Sequence, residues 1–82
     1  MIMGCLVELI FTAKVDDQAK QTKFYRRHRR LFGNSEVMLD DKTDGDRMRN
    51  RVYVVPGVEK TSKYIHEFLN RDDRLLSVKI LS

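Results

Sequence analysis

The chain has a single cysteine, Cys5, and a single proline, Pro56, in 82 residues. One cysteine forms no internal disulfide and no cysteine-based zinc site. A reducing cytoplasm is therefore the expected setting, where stability comes from packing. Proline and glycine are scarce beside 41% hydrophobic and 34% charged residues. That balance excludes a linker or a disordered tail and indicates a folded domain. Long apolar runs are missing as well. The opening stretch, residues 1–13, is interrupted by Glu8 and is shorter than a bilayer requires. It has no basic start, so no targeting signal is expected. The length leaves room for one domain, residues 1–82.

A second absence is local. Residues 18–32 contain no acid, while six cations fall there: Lys20, Lys23, Arg26, Arg27, Arg29 and Arg30. The whole chain carries a net charge of only +4, because the basic block is followed by an acid-rich segment, residues 33–46. Charge segregated in this way gives a molecule distinct contact faces.

Hydrophobic periodicity supplies the elements. Residues 3–13 read as a strand, with Cys5, Val7, Leu9 and Phe11 on a wholly apolar face and Leu6, Glu8, Ile10 and Thr12 on a mixed one. Asp16 or Asp17 suits the N-cap of a helix over residues 18–32. Its apolar arc holds Phe24, Tyr25, His28, Leu31 and Phe32. Lys23, Arg26, Arg27 and Arg30, spaced i, i+3, i+4, i+7, form a stripe on the opposite side. Gly33 or Asn34 ends it. A short strand is expected at 35–39 with Val37 and Leu39 facing inward, then a polar turn through Asp40, Asp44 and Gly45. Residues 49–55 are the clearest strand. Val52 and Val54 share one face; Arg49, Arg51, Tyr53 and Val55 share the other. A second helix over 58–70 buries Val58, Thr61, Ile65, Phe68 and Leu69. A last strand over 74–81 points Leu76, Val78 and Ile80 to one side.

The order β-α-β-β-α-β at this length resembles the ferredoxin-like split arrangement. That resemblance implies an α+β fold: a four-stranded antiparallel sheet with two helices on one face, strands one and three being central.

Little in the sequence points to catalysis. The aspartate-rich turn echoes a calcium loop, but Lys42 and Arg51 stand where ligands are needed, so no metal and no cofactor are expected. His28 reads as a packed core residue and His66 as exposed, neither at a ligand or nucleophile spacing. Cys5 reads as a small buried hydrophobe. Helix capping accounts for Asp16 and Asp17; an enzyme using them with a divalent metal on phosphodiesters is the third reading.

The first reading is a non-enzymatic binding protein. Its basic helix (Lys20, Lys23, Arg26, Arg27, Arg29, Arg30) contacts the backbone of RNA or DNA, because a cationic stripe can track phosphates and release their counterions. The second is a protein–protein adaptor or inhibitor, of the sort a phage or mobile element encodes. It would act as a homodimer through an edge strand or through the open sheet face carrying Leu6, Ile10, Arg49, Arg51 and Tyr53. No membrane partner is expected.

Overall fold

A computed structural model describes residues 4–12, 18–33, 42–44 and 47–81. Its elements are β1 (Cys5–Phe11), α1 (Gln18–Arg27), α2 (Arg29–Phe32), β2 (Lys42–Asp44), β3 (Arg47–Val54), α3 (Val58–Glu67), a 3-10 turn (Leu69–Arg71) and β4 (Leu75–Ile80). The fold is α+β. The expected strand at 35–39 with Val37 and Leu39, the capping candidates Asp16, Asp17 and Asn34, and the turn residues Asp40 and Gly45 lie outside the described residues.

The alternation in β1 sets the core. Cys5, Val7, Leu9 and Phe11 are all fully buried. Val52 and Val54 of β3 lie beside them, and Phe24, Leu31, Phe32, Ile65 and Leu69 close over them from the helical side. The pairing is antiparallel throughout, with Val7 opposite Val52 on one flank and opposite Ile80 on the other.

The ferredoxin-like plan of a four-stranded sheet with two helices does not hold. The strands run in the order β2-β3-β1-β4, so β1 and β3 are central as expected, but only β3, β1 and β4 are full-length strands. The fourth, β2, is a three-residue ribbon on the outer edge of β3, in an aspartate-containing segment with low preference for extended pairing. Among the described residues the helical layer has three α-helices, because the expected helix over 18–32 breaks at His28. There φ is −106° and ψ is 32°, and the next turn restarts with Leu31 N and Phe32 N bonded to the His28 carbonyl. Gly33 ends α2 as expected, at a positive φ of 35° that favours glycine.

Two further expectations fail for local reasons. Residues 58–70 do not form one helix: α3 stops at Glu67 and the backbone tightens into the 3-10 turn. The tighter winding brings Leu69 fully inward, while Phe68 stays 42% exposed and Val58 52% exposed. In β4 a register shift between Ile10 and Phe11 puts Leu75 opposite Phe11. Leu76 becomes the unpaired residue of a bulge, and it is exposed rather than facing the core with Val78 and Ile80.

Two positions pin the sheet. Asn50, fully buried in β3, donates through Nδ2 to Tyr25 Oη at 2.8 Å and Gln21 Oε1 at 3.2 Å, tying β3 to α1 by polar contacts inside an apolar layer. Gly4 leads into β1 where a Cβ would stand 2.6 Å from the Tyr53 ring and closer still to the Val54 carbonyl oxygen, so the close approach requires glycine. No helix among the described residues is long and apolar enough to cross a membrane.

Candidate functional site: a basic helical face and a tyrosine–histidine–aspartate cleft

The apolar arc and the cationic stripe of α1 and α2 separate as their periodicity requires. Phe24, His28, Leu31 and Phe32 are buried, while Lys23, Arg26, Arg27, Arg29 and Arg30 are exposed. None of these five cations is in an ion pair among the described residues; the pairs present involve His28, Arg51, Arg74 and Lys79. Lys20 lies in the first turn of α1. The break at His28 puts Arg29 and Arg30 on a separate turn from Arg26 and Arg27, so the stripe is two short segments rather than one straight row. Arg26 and Arg27 sit in the last turn of α1, where the helix dipole favours positive charge.

The other predicted surface is organised differently. On the sheet face away from the helices, Leu6 pairs with Tyr53, Glu8 with Arg51 and Ile10 with Arg49. Glu8 is only 6% exposed. It receives Arg51 Nε at 3.4 Å from one neighbouring strand and Lys79 Nζ at 3.6 Å from the other. Arg51 is thus committed within the molecule, and this face is not a free cationic platform.

Between the helices and the segment leading into β4 lies an open cleft of about 770 Å³. Arg27, His28 and Arg30 form one wall, Tyr64 and Glu67 of α3 with the following Phe68 another, and residues 71–74 the third. A line of hydrogen bonds runs along it. His28 Nδ1 meets Tyr64 Oη at 2.9 Å, and His28 Nε2 meets Asp72 Oδ2 at 2.7 Å. Asp72 in turn accepts Arg74 Nε at 2.9 Å, Nη2 at 2.6 Å and the Arg74 backbone N–H at 3.0 Å.

Aromatic packing holds these groups in place. The Phe24 ring lies 4.9 Å from His28 and 5.2 Å from the Arg74 guanidinium, a cation–π contact. Tyr64 packs on Phe68 at 4.8 Å. The Arg74 carbonyl accepts from Thr12 N at 3.0 Å, which anchors the 72–74 turn to the end of β1.

The electrostatics follow from these contacts. The Arg74 side-chain bonds outweigh burial and, with the bond from His28, hold the Asp72 carboxyl well below the usual carboxylate range. Arg74 is pushed up by the same pair. Burial pushes the Tyr64 phenol up, while Arg30 and Arg27 pull it down. At neutral pH Asp72 is therefore an anion and Tyr64 a neutral phenol.

The sequence places His28 on the buried arc but gives no direct sign of its partners Tyr64 and Asp72, nor of Arg74. Tyr64 and Asp72 lie 36 and 44 residues from His28. The available signal was indirect: a histidine buried among aromatics needs both ring nitrogens satisfied. Compared with known protein families, curated proteins and solved structures, the chain matches none.

Proposed function

We propose that the chain binds nucleic acid through the outward face of α1 and α2, with Lys23, Arg26, Arg27, Arg29 and Arg30 meeting the phosphate backbone. The supporting observation is that these cations are exposed and unpaired among the described residues, while the aromatic side of the same segment is sunk into the core. A solvated helix normally mixes charge signs at i, i+4; here Lys23, Arg26, Arg27, Arg29 and Arg30 have no ion-pair partner among the described residues. Binding of this kind is driven by counterion release. With about four phosphates neutralised, log K falls against log salt with a slope of about −3.6, so duplex affinity drops roughly a hundredfold between about 50 and 200 mM salt. Fluorescence anisotropy with labelled RNA and DNA at those two concentrations reads this directly. The triple variant Arg26→Glu, Arg27→Glu, Arg30→Glu is expected to lose binding altogether. Affinity indifferent to salt, or retained by the triple variant, rules the reading out.

A second reading is self-association through the open sheet face. It is favoured by an apolar end on that face, where Leu6 lies opposite Tyr53 and accepts the Leu81 N–H at 2.8 Å, with Val55 69% exposed nearby. Light scattering is expected to show a concentration-dependent dimer that Val55→Lys disperses. A monomer at every concentration eliminates it.

A further inference from the structure

The far end of the hydrogen-bond line in the cleft sets which His28 nitrogen carries the proton in the neutral imidazole. Asp72 takes three hydrogen bonds from Arg74 and is ionised, so it can only accept. His28 Nε2 must therefore carry the proton and donate to Asp72 Oδ2. In the neutral imidazole this leaves Nδ1 as a lone pair, which can only accept the Tyr64 hydroxyl proton. With the imidazole neutral, the phenol proton is aimed at a base, and the base is held by a carboxylate. This is the relation of nucleophile, base and orienting group used in covalent catalysis. A purely structural bridge would need its polar groups satisfied. It would not need the phenol to line an open cleft, nor Arg27, Arg30 and Arg71 around it without ion-pair partners among the described residues.

We propose that Tyr64 is a nucleophile toward phosphodiesters, with His28 as its base and Asp72 and Arg74 as positioning residues. As Tyr64 Oη attacks phosphorus, its proton passes to His28 Nδ1. The bond from phosphorus to the leaving oxygen breaks, and that oxygen departs with the electron pair. In a nucleic acid it is a sugar oxygen, which recovers the proton from the imidazolium. The product is a phosphotyrosyl diester, and no oxidant or further reactant is required. Arg27, Arg30 and Arg71 meet the charge that builds on the phosphoryl oxygens. With the Asp72–Arg74 pair cancelling, the cleft lining sets three arginines against Glu67 and Asp73. That modest surplus suits a singly charged diester better than a doubly charged monoester.

The inference rests on the nucleic-acid reading only for the identity of the natural substrate, so its test uses a small activated diester, bis(para-nitrophenyl) phosphate, with chelator present. The full chain is expected to release a burst of one equivalent of nitrophenolate and to carry the remaining aryl phosphate on Tyr64, located by peptide mass spectrometry. Tyr64→Phe, which deletes only the hydroxyl, is expected to show no burst. His28→Gln is expected to slow it by ~10²–10⁴-fold, the usual weight of general-base assistance. Absence of a burst from the wild-type chain, a burst unchanged in Tyr64→Phe, or an adduct on another residue overturns the proposal. A burst in a chain that ignores oligonucleotides overturns the helical-face reading and leaves the nucleophile standing.

Discussion

Phe24→Ala is expected to lower the urea midpoint by about 3 M or to abolish the cooperative transition. The ring is fully buried and is the hub of the helical layer. It meets Phe11 edge-on at 5.1 Å, Tyr25 at 5.3 Å, His28 at 4.9 Å, Phe32 at 5.8 Å and the Arg74 guanidinium at 5.2 Å. Truncating a buried phenylalanine costs about 3–5 kcal/mol. Here the loss falls on contacts to β1, to both turns of the broken helix and to the 72–74 segment at once, so little collapse can refill the space. A chain of 82 residues has a total stability of roughly 4–12 kcal/mol, so this one change removes much or all of it. Urea titration followed by circular dichroism is the measurement. For a domain with a urea slope near ~1 kcal/mol/M, the midpoint should fall by about 3 M or the transition should vanish. Phe24→Leu, which refills most of the volume, should retain a transition. A midpoint unmoved by the alanine would show that Phe24 is not the hub.

How much of this was legible in the sequence depends on the range of the interaction. The core face of β1 follows from a two-residue period over seven residues, a local signal, and all four of its residues are buried. The two faces of residues 18–32 also follow from a local period. Failures occur where a distant partner overrides it. The helix breaks at His28, whose ring bonds groups supplied 36 and 44 residues later. The face of β4 shifts because a bulge inserts Leu76 opposite a strand more than sixty residues earlier. The exposure of Phe68 comes from a change of helical winding that periodicity cannot register.

The candidate sites divide in the same way. Cationic exposure on α1 and α2 is a one-dimensional property, visible as a run without acid. The open sheet face looked cationic at Arg49 and Arg51, but the register puts Glu8 between Arg51 and Lys79. A single acid on the central strand thus binds cations from both neighbours. The cleft was invisible because its parts are unremarkable in sequence: a histidine in a basic run, a tyrosine in an amphipathic helix, an aspartate in a turn. Only the fold brings the tyrosine and the aspartate each within 3 Å of the histidine.

Asp72→Ala should be the most damaging substitution outside the apolar core, and its cost should depend on pH with a definite sign. The carboxylate is 7% exposed and faces His28, equally buried, and the Arg74 guanidinium at 2.6 Å. Removing it leaves an arginine and an imidazole N–H without their acceptor. Breaking a fully buried charged pair from one side costs about 3–5 kcal/mol; the cost here falls below that range because the Arg74 side chain is 31% exposed and water can reach it. The folded chain holds Asp72 below the usual carboxylate range, so the unfolded chain, with an aspartate near pKa ~3.9, takes up its proton first as pH falls. The contribution of Asp72 is therefore complete above the unfolded value and is lost progressively below it, as pH falls toward the folded one. Urea midpoints at about pH 7 and about pH 3 should differ more in the wild-type chain than in Asp72→Ala, which has no such proton to bind. Parallel losses in the two proteins would mean that the Arg74 and His28 bonds do not hold the carboxylate ionised. The fixed direction of the Tyr64–His28 hydrogen bond would fall with them, since an Asp72 able to donate would let the imidazole carry its proton on the other nitrogen.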